Sequence, residues 1–306
     1  MAAVAERLGA PLEVGVLGRP GVGRAAVAAG LAGAGVTIAD NAARAAAQVL
    51  VIAEALKPED RAKAEASRGA TMVVLNKADL AGVDPGGPLS VAARRAAEFT
   101  AAVGLPVVPM IAPLAAVELG DDELAALRAL VATPADMTST DAFVGSDHRL
   151  PAQMRERLLE KLDRFGLAHA VLGVAGGATD AAVVRQLRAL SQVESVLDVL
   201  AAVTAPVRYR RVCVALRELR TLAAQSGDDR IEKFLASDEA VLAVMTAAVD
   251  VVEASGLTVD RADDAEAHLR RAVHWRRRAR GPGDVTHRRC AKDIARGSLR
   301  LLGRSQ

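Results

Sequence analysis

The chain has 306 residues, 51% of them hydrophobic, a net charge of only +2, and ring side chains on one Trp, one Tyr and four Phe. That length suits one large or two moderate domains, and with so few aromatics the core has to be built from Ala, Val and Leu, as in helices and buried parallel strands. Two cysteines, Cys213 and Cys290, exclude a disulfide framework and a CxxC zinc site; Met1–Ala10 lacks the apolar stretch of a secretory leader, and no apolar run is long enough to predict a membrane span.

Leu12–Leu31 (LEVGVLGRPGVGRAAVAAGL) predicts a short apolar strand, a glycine-rich turn and a helix. Within it, Gly18-Arg19-Pro20-Gly21-Val22-Gly23-Arg24-Ala25 has the spacing of a phosphate-binding loop, G-x-x-x-x-G-K-[ST], with the last two positions changed. Glycines suit that turn because successive N–H groups must curl around a phosphate, with the following helix end adding positive potential. The loop's lysine is replaced by Arg24, and the hydroxyl that would hold Mg²⁺ by Ala25.

Val36–Asp40 predicts a strand ending in an acid, and Gln48–Ala53 a buried strand. Asp40 is expected to cap a helix rather than to bind Mg²⁺. Lys57-Pro58-Glu59-Asp60 opens a helix running to about Arg68, with Pro and acids in its first turn. Thr71–Leu75 is a further strand, followed at once by Asn76-Lys77-Ala78-Asp79; Ser90–Val103 predicts a helix and Leu105–Ile111 a last strand. Strands alternating with helices predict a mainly parallel, doubly wound sheet, with ligands at the carboxyl ends of its strands.

The loop GRPGVGR resembles the GRPNVGKS loop of the Era/Der-type bacterial GTPases, and Asn76–Asp79 resembles the NKxD guanine-specificity motif. The order of loop, strand ending in Asp, apolar strand, Pro-Glu-Asp helix, strand and NKxD is similar to that of a G domain, bacterial dynamin-like proteins included. The resemblance implies that Asp79 accepts the guanine N1 and N2 hydrogens, that Asn76 contacts the base edge and that the Lys77 stem covers the ring. It also puts Met110-Ile111-Ala112 where the family's last base-contacting loop falls, with only the Ala matching. Two departures stand beside this. The family's DxxG corresponds to Asp40-Asn41-Ala42-Ala43, without the glycine, and the short span before Asp40 leaves no room for the usual switch segment with its threonine, or for the family's additional edge strand. Phosphoryl transfer relies on positioning and on neutralisation by Lys and Mg²⁺, and an arginine fork does not replace a lysine point charge. Efficient hydrolysis is therefore not expected.

Gly120–Glu123 caps a short helix to about Ala132. The expected domains are a degenerate, truncated P-loop G domain over 1–133, a linker rich in Pro, Ser, Thr, Asp and Gly over 134–150, and an α-helical bundle domain over 151–306. Apolar residues at helical spacing predict helices over Pro151–Phe165, Thr179–Leu190, Val193–Ala202, Val207–Ala224, Arg230–Leu235, Ser237–Ser255, Asp260–Arg280 and His287–Leu302. Leu162–Leu167 and Val207–Leu219 resemble the helical part of actinobacterial dynamin-like or Era-like GTPases. His268, His274, His287 and Cys290, at spacings of six, thirteen and three, do not put three ligands on one helix face, so no metal site is expected. No catalytic triad can be read from the sequence.

From Ala265 to Gln306 there are twelve Lys/Arg against three Asp/Glu, a local +9 that leaves the rest of the chain net acidic. Arg270, Arg271, Arg276, Arg277, Arg278, Arg280, Arg288, Arg289, Arg296 and Arg300 make up the tract, read first as a solvated helix face. Its functional reading is docking to an anionic membrane surface through Arg270, Arg271, Arg276, Arg277, Arg278 and Arg280, or to an acidic partner. Nucleic acid is not expected, because Trp275 is the only interleaved ring.

The expected function is that of a pseudo-GTPase: a cytoplasmic protein, peripheral to the inner face of the membrane if the basic tract docks there. It would bind GTP or GDP through Gly18, Gly21, Gly23, Arg24, Asn76, Lys77 and Asp79, and serve as a regulatory or scaffolding partner of an intact GTPase or of a second copy of itself. Two other readings stand beside it, a GTPase completed by a partner's cation and a membrane-peripheral or nucleic-acid adaptor acting through the basic C-terminal helices.

Overall fold

The structure, a computed structural model, describes residues 2–67, 69–82 and 84–305. They form two compact units, Leu12–Val199 in one and Met1–Pro11 with Leu200–Gln306 in the other. The opening helix α1 (Ala2–Gly9) belongs to the second.

The first unit is built on five parallel strands: β1 (Glu13–Gly18), β2 (Thr37–Ile38), β3 (Ala47–Ala53), β4 (Ala70–Asn76) and β5 (Val107–Met110), in the order β2-β1-β3-β4-β5. β4 is buried at every position and β3 at most, which is why both read as unbroken apolar runs. The register pairs Gly18 with Val51, Ala53 with Asn76 and Asn76 with Met110. The carboxyl ends of β1, β3, β4 and β5 thus lie along one edge of the sheet, where the glycine loop and the NKAD turn emerge. The connecting helices are α2 (Arg24–Gly33), α3 (Pro58–Ala66) and α4 (Gly87–Val103), and α5 (Asp121–Ala132) follows the sheet. α3 starts where Pro58 and the two acids predict, although it ends at Ala66; Arg68 lies outside the described residues.

Asp40 is not the cap it was expected to be. The next residue does that work: the Asn41 side chain accepts from the Ala43 N–H (3.1 Å) at the head of a one-turn helix, Ala42–Arg44. Asp40 itself is exposed in the preceding bend. Asn and Asp cap equally well, so the choice was made by backbone position rather than side-chain type.

The segment read as a linker carries α6 (Thr140–Gly145), capped by Ser139. Phe143 on it is fully buried. Arg155, also buried, donates to Phe143 O, Ser146 O and Ser146 Oγ, and His148 closes the segment by accepting from the Leu150 N–H and donating to Thr133 O. The turn-forming composition is real, yet one buried ring and one buried guanidinium are enough to order it. Next come α7 (Ala152–Ala175), broken at Asp163 (φ 53°, ψ 178°), and α8 (Asp180–Leu190). Their apolar faces (Leu158, Leu162, Leu167, Val183, Leu187) share a core with Ala78, Ala81, Leu114, Leu124 and Leu127. These helices, placed by the sequence reading in the all-α part, thus pack on the sheet-bearing unit. At Gly166 a Cβ would lie 2.6 Å from a terminal methyl of Leu114, so a larger residue there would force that side chain to shift.

α9 (Val193–Ser226) replaces two expected helices with one. Pro206 sits inside it and removes one N–H from the ladder; Arg208 reaches back to Ala201 O (2.8 Å) and Thr204 Oγ1 (2.9 Å) and supplies donors around the gap. The second unit is completed by α10 (Asp229–Ala236), α11 (Asp238–Ala254), α12 (Ala265–Arg278) and α13 (Val285–Arg304). α13 packs against both α11 and α12, with Trp275, Cys290, Ile294 and Val251 in the core. The chain therefore forms a parallel α/β region followed by helices, as expected. Among the described residues no single helix is long and apolar enough to cross a membrane.

Candidate functional site

β1 ends at Gly18, and Arg19–Gly23 turn the chain into α2. Gly23, just before the helix, has φ 84° and ψ 32°, a left-handed conformation that costs an L side chain roughly 1–2 kcal/mol. A Cβ there would also run into Asn76 Nδ2. At Gly18 a Cβ would lie 2.6 Å from Val51 O and 3.2 Å from Arg24 Cγ, so the Arg24 stem passes over the start of the loop. No side chain caps α2, and its first turn has no acid. Its leading N–H groups are left for water or an anion, and the helix-end potential favours the anion.

The two arginines of the loop have different fates. Arg19 Nε donates to both carboxylate oxygens of Asp60 (2.9 and 3.0 Å), which also accepts from the Lys57 N–H (3.2 Å). Asp60 is fully buried. The hydrogen bond to Asp60 raises the Arg19 pKa, burial opposes it, and the charges of Asp60, Glu59 and Glu54 add to the rise. Arg19 therefore ties the loop to the start of α3. Arg24 is exposed and makes no ion pair among the described residues.

Asn76, at the end of β4, is buried, and its amide joins two loops. Nδ2 donates to Val22 O (3.0 Å) in the glycine loop, and Oδ1 accepts from the Ala112 N–H (3.2 Å) after β5. Its amide is thus engaged with the protein at both ends. Lys77 follows in the left-handed region (φ 59°, ψ 41°) with an exposed side chain, a conformation that a non-glycine residue holds only under constraint. Asp79 is half-buried. Burial raises its pKa, its own N–H opposes that, the nearby Asp163 charge adds to the rise, and Lys77 lowers it. No cation pairs with it among the described residues.

The structure thus brings Gly23, Val22, Asn76 and Ala112 into contact, with Lys77 and Asp79 in the turn that follows. Ala112 falls where the base-contacting loop was expected. Three participants carried no signal that sequence reasoning used: the Arg19–Asp60 pair, the Asn76 bridge, and Asp163 at the break in α7. Position 25 is Ala, with no side-chain oxygen, and Asp40 is exposed in its bend. Among the described residues no group of three or more His, Cys, Asp and Glu could hold a metal ion.

His268 is buried between Arg271 and Asp263, His274 stands edge-on to Trp275, and His287 bonds to Asp284 at the start of α13. Cys290 is buried, which pushes its thiol pKa up to about 12. Arg271 is not on the surface as its place in the basic tract suggested: it is buried and donates to Ser298 Oγ, Asp260 O and Ala262 O. Arg270 pairs with Glu266 (2.8 Å), and Arg278 lies 5.9 Å from the Trp275 ring centroid. Arg276, Arg277 and Arg280 are exposed.

Comparison with protein families, with curated proteins and with solved structures found no match.

Proposed function

We propose that this chain is a pseudo-GTPase: a guanine-nucleotide-binding protein of doubly wound P-loop type that does not hydrolyse its nucleotide efficiently. It would act as the regulatory or scaffolding partner of an intact GTPase or of a second copy of itself. The observation that carries the reading is the Asn76 bridge, which fastens the glycine loop, the NKAD turn and the turn after β5 to one point. The strand order supports it, since β2 and β3 leave β1 in opposite directions, and ligands of such sheets sit outside the carboxyl ends at that switch point.

In this reading the N–H groups from Gly21 to Ala25 hold the phosphates, with Arg24 as a planar cation beside them. Asp79, lacking a cation, takes two hydrogens from the guanine edge, and Lys77 covers the ring. Adenine offers a different edge and leaves the carboxylate unpaired. Hydrolysis fails for want of three things: a lysine point charge, an oxygen at position 25 and a group to orient the attacking water.

Equilibrium titration of the full chain with GDP, GTP and ATP tests this. Guanine nucleotides should bind about a hundredfold tighter than ATP, and Asp79→Ala should remove that preference. ATP binding as tightly as GTP, or no nucleotide binding at all, would leave the motif a relic.

A further inference from the structure

The helical unit holds a second candidate site. Helices α9, α10, α11 and α13 line a solvent-open cavity of about 70 Å³. A single water needs roughly 10–15 Å³ on the same scale, so the space admits a group of several heavy atoms. Leu216, Val241 and Val244 supply apolar wall, and three arginines line it: Arg220 on α9, and Arg289 and Arg296 on α13. The spacing fixes this. Cys213, Leu216 and Arg220 share one face of α9, while Arg289, Asp293 and Arg296 share one face of α13.

All three arginines are exposed, and none makes an ion pair or hydrogen bond among the described residues. Elsewhere in the same unit arginines do find acids: Arg261 pairs with Glu253, Arg270 with Glu266 and Arg300 with Asp238. The one carboxylate lining the cavity, Asp293, accepts from the Tyr209 hydroxyl (2.6 Å). Three unpaired guanidinium side chains therefore line one cavity whose one lining carboxylate is already engaged by the Tyr209 hydroxyl.

We propose that this cavity binds a phosphate monoester, its phosphate on Arg220, Arg289 and Arg296 and its apolar part on Leu216, Val241 and Val244. Three forks offer more donors than a carboxylate can accept, whereas a phosphate presents three terminal oxygens, each able to take more than one hydrogen bond. The phosphate could be carried by a free small molecule or by a lipid headgroup, and the test separates the two.

Cys213 lines the cavity and is partly exposed, whereas Cys290 is buried. Modification of Cys213 by a disulfide reagent, followed by peptide mass spectrometry on the full chain, therefore reads this site alone and is independent of nucleotide binding at the glycine loop. The probes are inorganic phosphate, n-octyl phosphate, n-octanol, and vesicles of phosphatidic acid or of phosphatidylcholine. Saturating octyl phosphate should slow modification about tenfold, with octanol far weaker, and Arg289→Ala or Arg296→Ala should each weaken octyl phosphate binding about tenfold. Arg289→Lys, which keeps the charge without the fork, should fall between. Calorimetric titration of octyl phosphate into the same proteins provides a second readout. Protection by free phosphates supports a soluble ligand, and protection by phosphatidic acid vesicles alone supports a headgroup. Protection by none of the anions, or equally by octanol, overturns the proposal.

Discussion

The Asn76 bridge yields a prediction that can be worked through. Asn76→Ala removes two buried hydrogen bonds, to Val22 O at 3.0 Å and from the Ala112 N–H at 3.2 Å, and strands both backbone partners. Each lost bond is worth about 1 kcal/mol net, and each buried group left without a partner costs about 1–3 kcal/mol unless water reaches it. Truncation opens space for a water, so the lower half of the range applies and the cost is about 2–4 kcal/mol. Asn76→Asp is sharper, because it keeps the shape. The acceptor facing Ala112 survives, but the donor facing Val22 O becomes a second oxygen, and a charge is placed where relative exposure is only 2%. Only the protonated acid can donate to Val22 O, so the folded pKa of the introduced acid is raised above its unfolded value. Its deficit relative to wild type should be largest at neutral pH and shrink as the pH falls toward the unfolded carboxylate range. Trp275 lies in the other unit, so its fluorescence reports the wrong place. Hydrogen exchange of the Val73–Leu75 amides in urea or at varied pH is the appropriate assay. Equal stability of the Asn76→Asp and wild-type proteins at pH 7, or a deficit that does not change with pH, refutes the reasoning.

Two further consequences concern charged groups in the same unit. Arg19→Ala leaves the fully buried Asp60 charge without its cation and with the Lys57 N–H alone, so Arg19→Ala/Asp60→Ala should be more stable than Arg19→Ala alone; chemical denaturation checks the order, and the reverse order counts against the pair's role. Glu123 is buried, which raises its pKa, but the Lys161 hydrogen bond, the Gly120 N–H and the charges of Lys161 and Arg157 outweigh that and leave it below its ordinary value of 4.5. A depressed folded pKa contributes stability that is complete above the unfolded value and is lost as pH falls through the folded one. Glu123→Gln should therefore be less stable than wild type at pH 7, with the gap closing below about pH 4.5; acid-unfolding curves that stay parallel would contradict it.

What the sequence revealed and what it hid divide by distance along the chain. The strands at Glu13–Gly18, Ala47–Ala53 and Ala70–Asn76 were legible because strands buried on both faces read as unbroken apolar runs. The glycine loop and the NKAD turn were legible because each is a few consecutive residues. The Arg19–Asp60 bond spans 41 residues and the Asn76–Val22 bond 54, and neither leaves a local pattern. The 134–150 segment misled for the same reason: its polar composition was visible, but the burial of Phe143 and the reach of Arg155 depend on α7 packing alongside. Pro206 misled differently. A proline removes one hydrogen bond without having to end a helix, and Thr204 and Arg208 hold the break together.

The two loop arginines and Ala25 lead to the last prediction. Arg19 is bound to Asp60, so the loop's free positive charge reduces to Arg24 and the uncapped end of α2. Both act on a phosphate directly and neither calls for a divalent ion, so the nucleotide affinity of the native chain should not change when EDTA replaces Mg²⁺. Ala25→Ser restores one oxygen at the first turn of an exposed helix end, where serine is tolerated at a cost of only about 0.5 kcal/mol. With the hydroxyl in place, affinity should become Mg²⁺-dependent, by about tenfold, while phosphate release stays at background because no group orients the water. The native chain losing its nucleotide in EDTA would mean that a cation is held here without position 25. Turnover by Ala25→Ser would mean that the missing hydroxyl alone had silenced hydrolysis, and Asp40, exposed though it is, would then have to be reconsidered as the residue that places the water.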